Sequence, residues 1–265
     1  MDSGSHPEVS DMLTKASSLW YVDVSDPSSV LNKCHDPNPE AALALAEQLH
    51  GDREVVPIMP GTLADCAGPD ADEVYIGCYP GVTVVCSPRA ARVHPTELRE
   101  VLLHPWASEH TYLVSFDTTH GWGAFAHWER GQFRRSFSST RVNILEDEGL
   151  PSVWERPYWA GEHPVHWPVG DLPHGQILPF DPPEFADAAM NAWLGFHYRS
   201  PTTDGTFGPI DIPVCGFSLR PKGRARRAAA MAQPHTPRPG RLLGWLRGSS
   251  LVRWAIRREH PAEFS

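Results

Sequence analysis

Residues Trp122, Ala124, Ala126 and Trp128 alternate with Gly123, Phe125 and His127, and the run ends at Arg130-Gly131 before a second extended stretch, Gln132 to Ser138. A period of two residues is that of a strand with two distinct faces, and a short glycine turn joins antiparallel neighbours. Thr111 to Asp117 precedes them as a third strand. The segment therefore predicts a three-strand meander and commits much of the chain to antiparallel sheet.

A second pairing is written around Tyr79-Pro80-Gly81-Val82, where Pro and Gly occupy the central positions of a type II turn. Counting outward sets Cys78 against Thr83 and Tyr75 against Cys86, so the two cysteines do not face one another and no disulfide is expected between them. Leu19 to Val24, Glu54 to Ile58 and Ile212 to Leu219 read as further strands, and Gly61 to Asp72 as loop. Three helices are expected. Asn38 caps the first, with Pro39 at its first position, Ala42, Leu45, Ala46 and Leu49 on one face and Gly51 after its end. Thr96 to Leu103 places Leu98, Val101 and Leu102 together. Asp181-Pro182-Pro183-Glu184 has the spacing of a capping box ahead of Phe185, Ala188, Ala189, Ala192 and Phe196. From Asn143 to Phe180 neither period is present, but Trp154, Tyr158, Trp159 and Trp167 supply rings for burial, so the stretch reads as an ordered arm covering the sheet. The resulting expectation is an α+β fold, a mainly antiparallel sheet of hairpin plus three-strand meander packed with about three helices. It forms a single domain over residues 17–219, with a flexible start at 1–16 and a tail at 220–265.

Charge divides the chain at the same place. Residues 220–265 carry eleven Lys and Arg against Glu259 and Glu263, giving +9, which leaves −18 on residues 1–219 and −9 overall. The tail combines a Pro/Arg/Ala linker, 221–240, with a stripe of Leu242, Trp245, Leu246, Val252 and Ile256 interrupted by Arg253. Residues 221–265 thus suit an anionic surface, whether membrane, nucleic acid or acidic protein. The polar first dozen residues lack the basic start and apolar run of a secretory signal, and no window is long and apolar enough to span a membrane. Five scattered cysteines without a Cys-x-x-Cys pair point to reduced thiols and a cytoplasmic location, and no structural zinc or other cofactor is expected.

The order of LWYVDVSDPSSVL, EVYIGCYPGVTVVCS, WGAFAHWERGQFRRSFS, ERPYWAGEHP and LPF ahead of the Asp181 helix resembles an uncharacterised bacterial protein family, domain of unknown function 6928. The resemblance runs from about Ser17 to Leu219 and implies one domain. It implies no catalytic residue and no cofactor, since that family has no established activity. Asp181 is a departure, because the family pattern has His after LPF.

Two constellations carry chemistry. Asp117 and His120, at one strand end, with Glu162 and His163 from the aromatic arm, are carboxylate and imidazole groups suited to proton transfer or to a metal-assisted hydrolase; the preferred reading of Asp117-Thr-Thr-His120 is an ordinary turn. His127, Arg135 and Arg141 beneath Trp154 and Trp159 would suit a small anionic ligand, or else are strand residues with arginine stacked on tryptophan. Nucleophile-elbow, P-loop and dinucleotide fingerprints are absent. A non-enzymatic binding or interaction module is the first expectation, and a hydrolase using the Asp/His/Glu group is the alternative.

Overall fold

The computed structural model describes residues 13–34, 36–103, 108–165, 178–199 and 207–223. The expectations for residues 1–12, for Trp167 and for the tail beyond Gly223 lie outside them.

In chain order the elements are β1 (Lys15–Val22), α1 (Pro27–Lys33), α2 (Pro39–Leu49), β2 (Arg53–Thr62), α3 (Leu63–Cys66), β3 (Glu73–Tyr79) and β4 (Val82–Cys86). After two 3-10 turns, Pro88–Ala90 and Pro95–Glu97, come α4 (Glu100–Leu103), β5 (His110–Asp117), β6 (Trp122–Glu129), β7 (Gln132–Thr140) and β8 (Ile144–Gly149). A 3-10 turn at Val153–Glu155 leads into α5 (Arg156–Trp159), then α6 (Pro182–Leu194) and β9 (Pro213–Pro221).

The strands form one nine-stranded sheet in the order β2-β9-β3-β4-β1-β5-β6-β7-β8. Every neighbouring pair is antiparallel. This corrects the expected α+β arrangement of a hairpin and a meander packed with about three helices: the fold is predominantly one large sheet. The join is β1, which pairs with β4 on one side and with β5 over its whole length on the other. The hairpin and the meander are therefore halves of a single sheet.

Both faces of that sheet are covered, which explains why β1 is buried from Ala16 to Val22 instead of alternating. On one face Trp20, Val84, Val114, Phe125 and Phe137 meet α6 through Phe185, Ala189 and Met190. On the other, Leu19, Tyr21, Ile76, Val85, Leu113 and Trp128 meet α2 through Ala42, Leu45, Ala46 and Leu49. The Asn38 side chain accepts from the Glu40 and Ala41 backbone N–H groups and starts α2 as its cap. α6 begins hard against β6, where a Cβ at Gly123 would collide with the Pro182 carbonyl. Its Asp181 makes no side-chain cap. The Asp181 carboxylate is instead bonded by Arg141 at 3.4 Å and lies 3.7 Å from Arg199.

Two local expectations change. Thr96 to Leu103 is a 3-10 turn followed by α4, because the backbone leaves the helical conformation at Leu98, with ψ 132; the Thr96 backbone N–H bonds to the Glu146 side chain. Part of the aromatic arm is the edge strand β8, paired with β7. At the opposite edge, β2 carries Pro57 and Pro60 and a register shift between Ile58 and Gly61. Prolines and a bulge at one edge, and Glu146-Asp147-Glu148 at the other, discourage pairing with further strands.

Candidate functional site

Four residues, Thr118 to Gly121, connect β5 to β6. Asp117 ends β5, and its Oδ1 accepts the His120 backbone N–H at 3.1 Å, the local turn chemistry that Asp favours. Gly121, at φ 60, completes the reversal. Thr118 donates both its backbone N–H and its hydroxyl to the Thr14 carbonyl and ties the turn to the entry of β1.

The same turn brings the His120 ring to Asp117, with Nδ1 2.8 Å from Oδ2. An ionised carboxylate can only accept, so Nδ1 is the donor and the neutral ring keeps its lone pair on Nε2. Burial alone would raise the Asp117 carboxyl, but the side-chain and backbone hydrogen bonds from His120 outweigh it and hold it below its usual range. His120 itself is largely exposed and Asp117 mostly covered.

Beside this pair is a cleft of ≈ 300 Å³. Its floor is the sheet at Ala16, Ser115 and Phe116, and Lys15 and Trp122 flank it as the cross-strand partners of Asp117. Ala91 and Val93 form the facing wall. That wall is anchored nearby by a buried carboxylate, Glu146, which accepts from the Thr96 backbone, the Thr96 hydroxyl and the Ser136 hydroxyl, with His94 Nδ1 3.6 Å away. Trp122 is held by its own Nε1–H, which donates to Ser138 Oγ at 3.1 Å. The Ser115 hydroxyl is committed to the Ala16 carbonyl at 2.9 Å. The interior is thus mostly apolar, with Lys15, Asp117 and His120 as its polar groups.

Glu162 and His163 stand elsewhere. His163 stacks on Tyr158 with ring centroids 4.0 Å apart, and its Nδ1 is 3.9 Å from Glu184. Tyr158 belongs to the core on the α6 face, whereas Asp117 shares its strand face with Leu113 of the α2-side core. Among the described residues no hydrogen bond or ion pair joins Glu162 or His163 to Asp117 or His120, and none groups three or more His, Cys, Asp or Glu side chains as a metal site. The four expected residues fall into two pairs on opposite faces.

The second constellation is divided among four structural tasks. Arg135 is 2% exposed and donates to Glu155 from Nε and Nη2 at 3.0 and 2.8 Å, and to Asp147 from Nη1. It is a buried ion pair, not the solvated strand residue that the sequence also allowed. Trp154 and Trp159 fill the aromatic core against Phe125, Phe137 and Phe185. Arg141 serves Asp181. His127 Nε2 is 3.2 Å from His110 Nδ1 beside Tyr112 and Trp193, and burial, then His110, lowers its pKa to about 4. No helix among the described residues is long and apolar enough to cross a membrane.

Lys15, Val93 and Trp122 were not identifiable as site residues in sequence, because only the β1–β5–β6 register brings Lys15 and Trp122 to Asp117, and Val93 arrives from the connection between the two 3-10 turns. The model of a family described as Family of unknown function (DUF6928) matches residues 16–217. No curated protein and no solved structure matches the chain.

Proposed function

The chain belongs to the family of unknown function DUF6928, matched over residues 16–217, and we propose on that premise that its domain is a binding module for a small molecule. The observation that carries this reading is the cleft bounded by Lys15, Val93, Asp117 and Trp122, apolar within and polar at Asp117, His120 and Lys15. A concave apolar site with a few fixed polar groups is the usual form of a small-ligand pocket. Its walls are fastened by Glu146 and Ser138, so the cavity is formed before a ligand arrives. Residues 17–219 would be the working domain, and five free cysteines, three of them buried, support a reducing compartment such as the cytoplasm.

Ligand-observed NMR with a small-molecule library, run on the full chain and on Val93→Trp, tests this. Val93 is half exposed on the cleft wall, so the larger ring should fill the space without disturbing the core. Hits that vanish in Val93→Trp support the reading, and hits indifferent to it exclude the cleft. A second reading, a hydrolase with water activated at His120 Nε2, is favoured by the Asp117–His120 hydrogen bond. Ester turnover by the wild type that is lost in His120→Ala would select it.

A further inference from the structure

We infer that the ligand of this cleft is a small carboxylate with an aromatic or branched apolar body, its acid group set against Lys15; the inference rests on the binding reading above. Charge accounting at the mouth leads there. Lys15 is exposed at the start of β1, and among the described residues it has no ion-pair partner, although Asp117 is its direct cross-strand neighbour. The Asp117 carboxylate is already engaged, one oxygen by the His120 backbone N–H and the other by the His120 ring. The nearby guanidinium of Arg92 turns back to the Arg89 carbonyl at 3.1 Å. Among the described lining residues Lys15 is thus the cation whose ammonium makes no ion pair, while both Asp117 oxygens are held by hydrogen bonds from His120.

The rest of the cleft sets the body of the ligand. Ala91, Val93 and Trp122 offer apolar contact, while Ala16 and Phe116 turn their side chains into the α6-side core and present only backbone; there is almost no free hydrogen bonding, since Ser115 and the Trp122 indole N–H are both satisfied within the sheet. A polar body such as a sugar would lose its hydration without replacement there. A flat or branched hydrocarbon body would not, and ≈ 300 Å³ is at the small end of ligand sites. His120 adds a second group at the mouth, with its Nε2 left open by the Asp117 bond.

Benzoate, benzyl alcohol and benzylamine share a ring and differ in charge, so they serve as probes for the full chain, with binding followed by saturation-transfer NMR. Benzoate should bind tightest. Lys15→Met should weaken benzoate roughly fivefold, the upper end for one accessible ion pair, and leave benzyl alcohol unchanged. Lys15→Arg should restore most of the loss. High salt should narrow the gap between benzoate and benzyl alcohol, because screening acts on the ion pair alone. Benzyl alcohol or benzylamine binding as tightly as benzoate, with all of it lost in Val93→Trp, would overturn the carboxylate assignment while leaving the cleft as a binding site. Benzoate binding unaffected by Lys15→Met would do the same. Silence of all three probes at millimolar concentration would overturn both.

Discussion

Arg135 and Glu155 meet in a two-point contact with both side chains withdrawn from solvent, Arg135 at 2% and Glu155 at 0% exposure. Glu155 also accepts the Ser152 backbone N–H at 2.8 Å and so fixes the turn at which the aromatic arm leaves β8, while Arg135 stands on β7. The ion pair fastens the arm to the sheet. Removing one partner of a buried pair strands the other charge, so Arg135→Met should destabilise by about 3–5 kcal/mol. The double variant Arg135→Met/Glu155→Leu should be less destabilised than Arg135→Met alone. Urea midpoints of the three proteins decide the matter, and a near-wild-type midpoint for Arg135→Met would show that the pair contributes nothing.

Trp122 and Trp128 are on the same strand but do different work. Trp128 is 4% exposed in the α2-side core, and Trp128→Ala should destabilise by about 3–5 kcal/mol. Trp122 is only partly buried and borders the cleft, so Trp122→Ala should cost about 1–2 kcal/mol and report mainly in ligand binding. Equal losses of stability would contradict the division.

His50, at the end of α2, is 1% exposed, and neither ring nitrogen has a hydrogen-bond partner among the described residues. Burial first, and then Arg89, lowers its pKa to about 4. The unfolded chain would take up that proton near pH ~6.5. The His50 contribution is therefore complete above that value and is lost as pH falls toward about 4, with a slope of up to ~1.4 kcal/mol per pH unit. His127 acts in the same direction, while His197, raised by its bond to Asp187, acts in the opposite one. His50→Leu should keep or raise the midpoint at pH ~7.5 and flatten its fall toward pH ~5. An unchanged slope would locate the acid sensitivity elsewhere.

The cysteines should react in two classes. Cys34 and Cys215 are partly exposed, whereas Cys66, Cys78 and Cys86 are buried. Burial pushes Cys66 and Cys78 up to about 11 and Cys86 further still, which removes the reactive thiolate at neutral pH. Titration of native protein with an aromatic disulfide reagent should find Cys34 and Cys215 first. Under denaturing conditions all five should react. Fast native labelling of Cys86 would mean that the strand pairing around it opens readily.

Local instructions were legible in the sequence where both partners are near in the chain. The turn at Pro80-Gly81 sets Tyr75 opposite Cys86 and Cys78 opposite Thr83, as counted from the residues, and Asn38 caps α2. What escaped depends on distant partners. Thr96 looked like the start of a helix, but the backbone turns extended at Leu98, and Glu146 from β8 holds the turn by the Thr96 N–H. Asp181 looked like a cap, but Arg141 and Arg199 take its carboxylate. β8 reads Ile-Leu-Glu-Asp-Glu-Gly, too acidic to show alternation, and becomes a strand by pairing along β7. The site divides the same way: Asp117 and His120 are three residues apart and were seen together, while Lys15 and Trp122 join them only through sheet register.

The place of β9 has a consequence for how the molecule comes to exist. β2 and β3 follow one another in the chain, separated by α3, yet they do not pair; both bond to β9. Until residues 213–221 have been synthesised, the sheet has an open slot, with the inner edges of β2 and β3 left without their hydrogen-bonding strand. A Cβ at Gly216 would strike the Met59 carbonyl and Tyr75, so the strand that fills the slot must pass with almost no side-chain clearance at that point. Closure joins segments that are far apart along the chain, which makes for slow folding through a large loop-closure entropy. Nascent chains halted before β9 would leave β2 without any strand partner and one edge of β3 unpaired, a form open to aggregation.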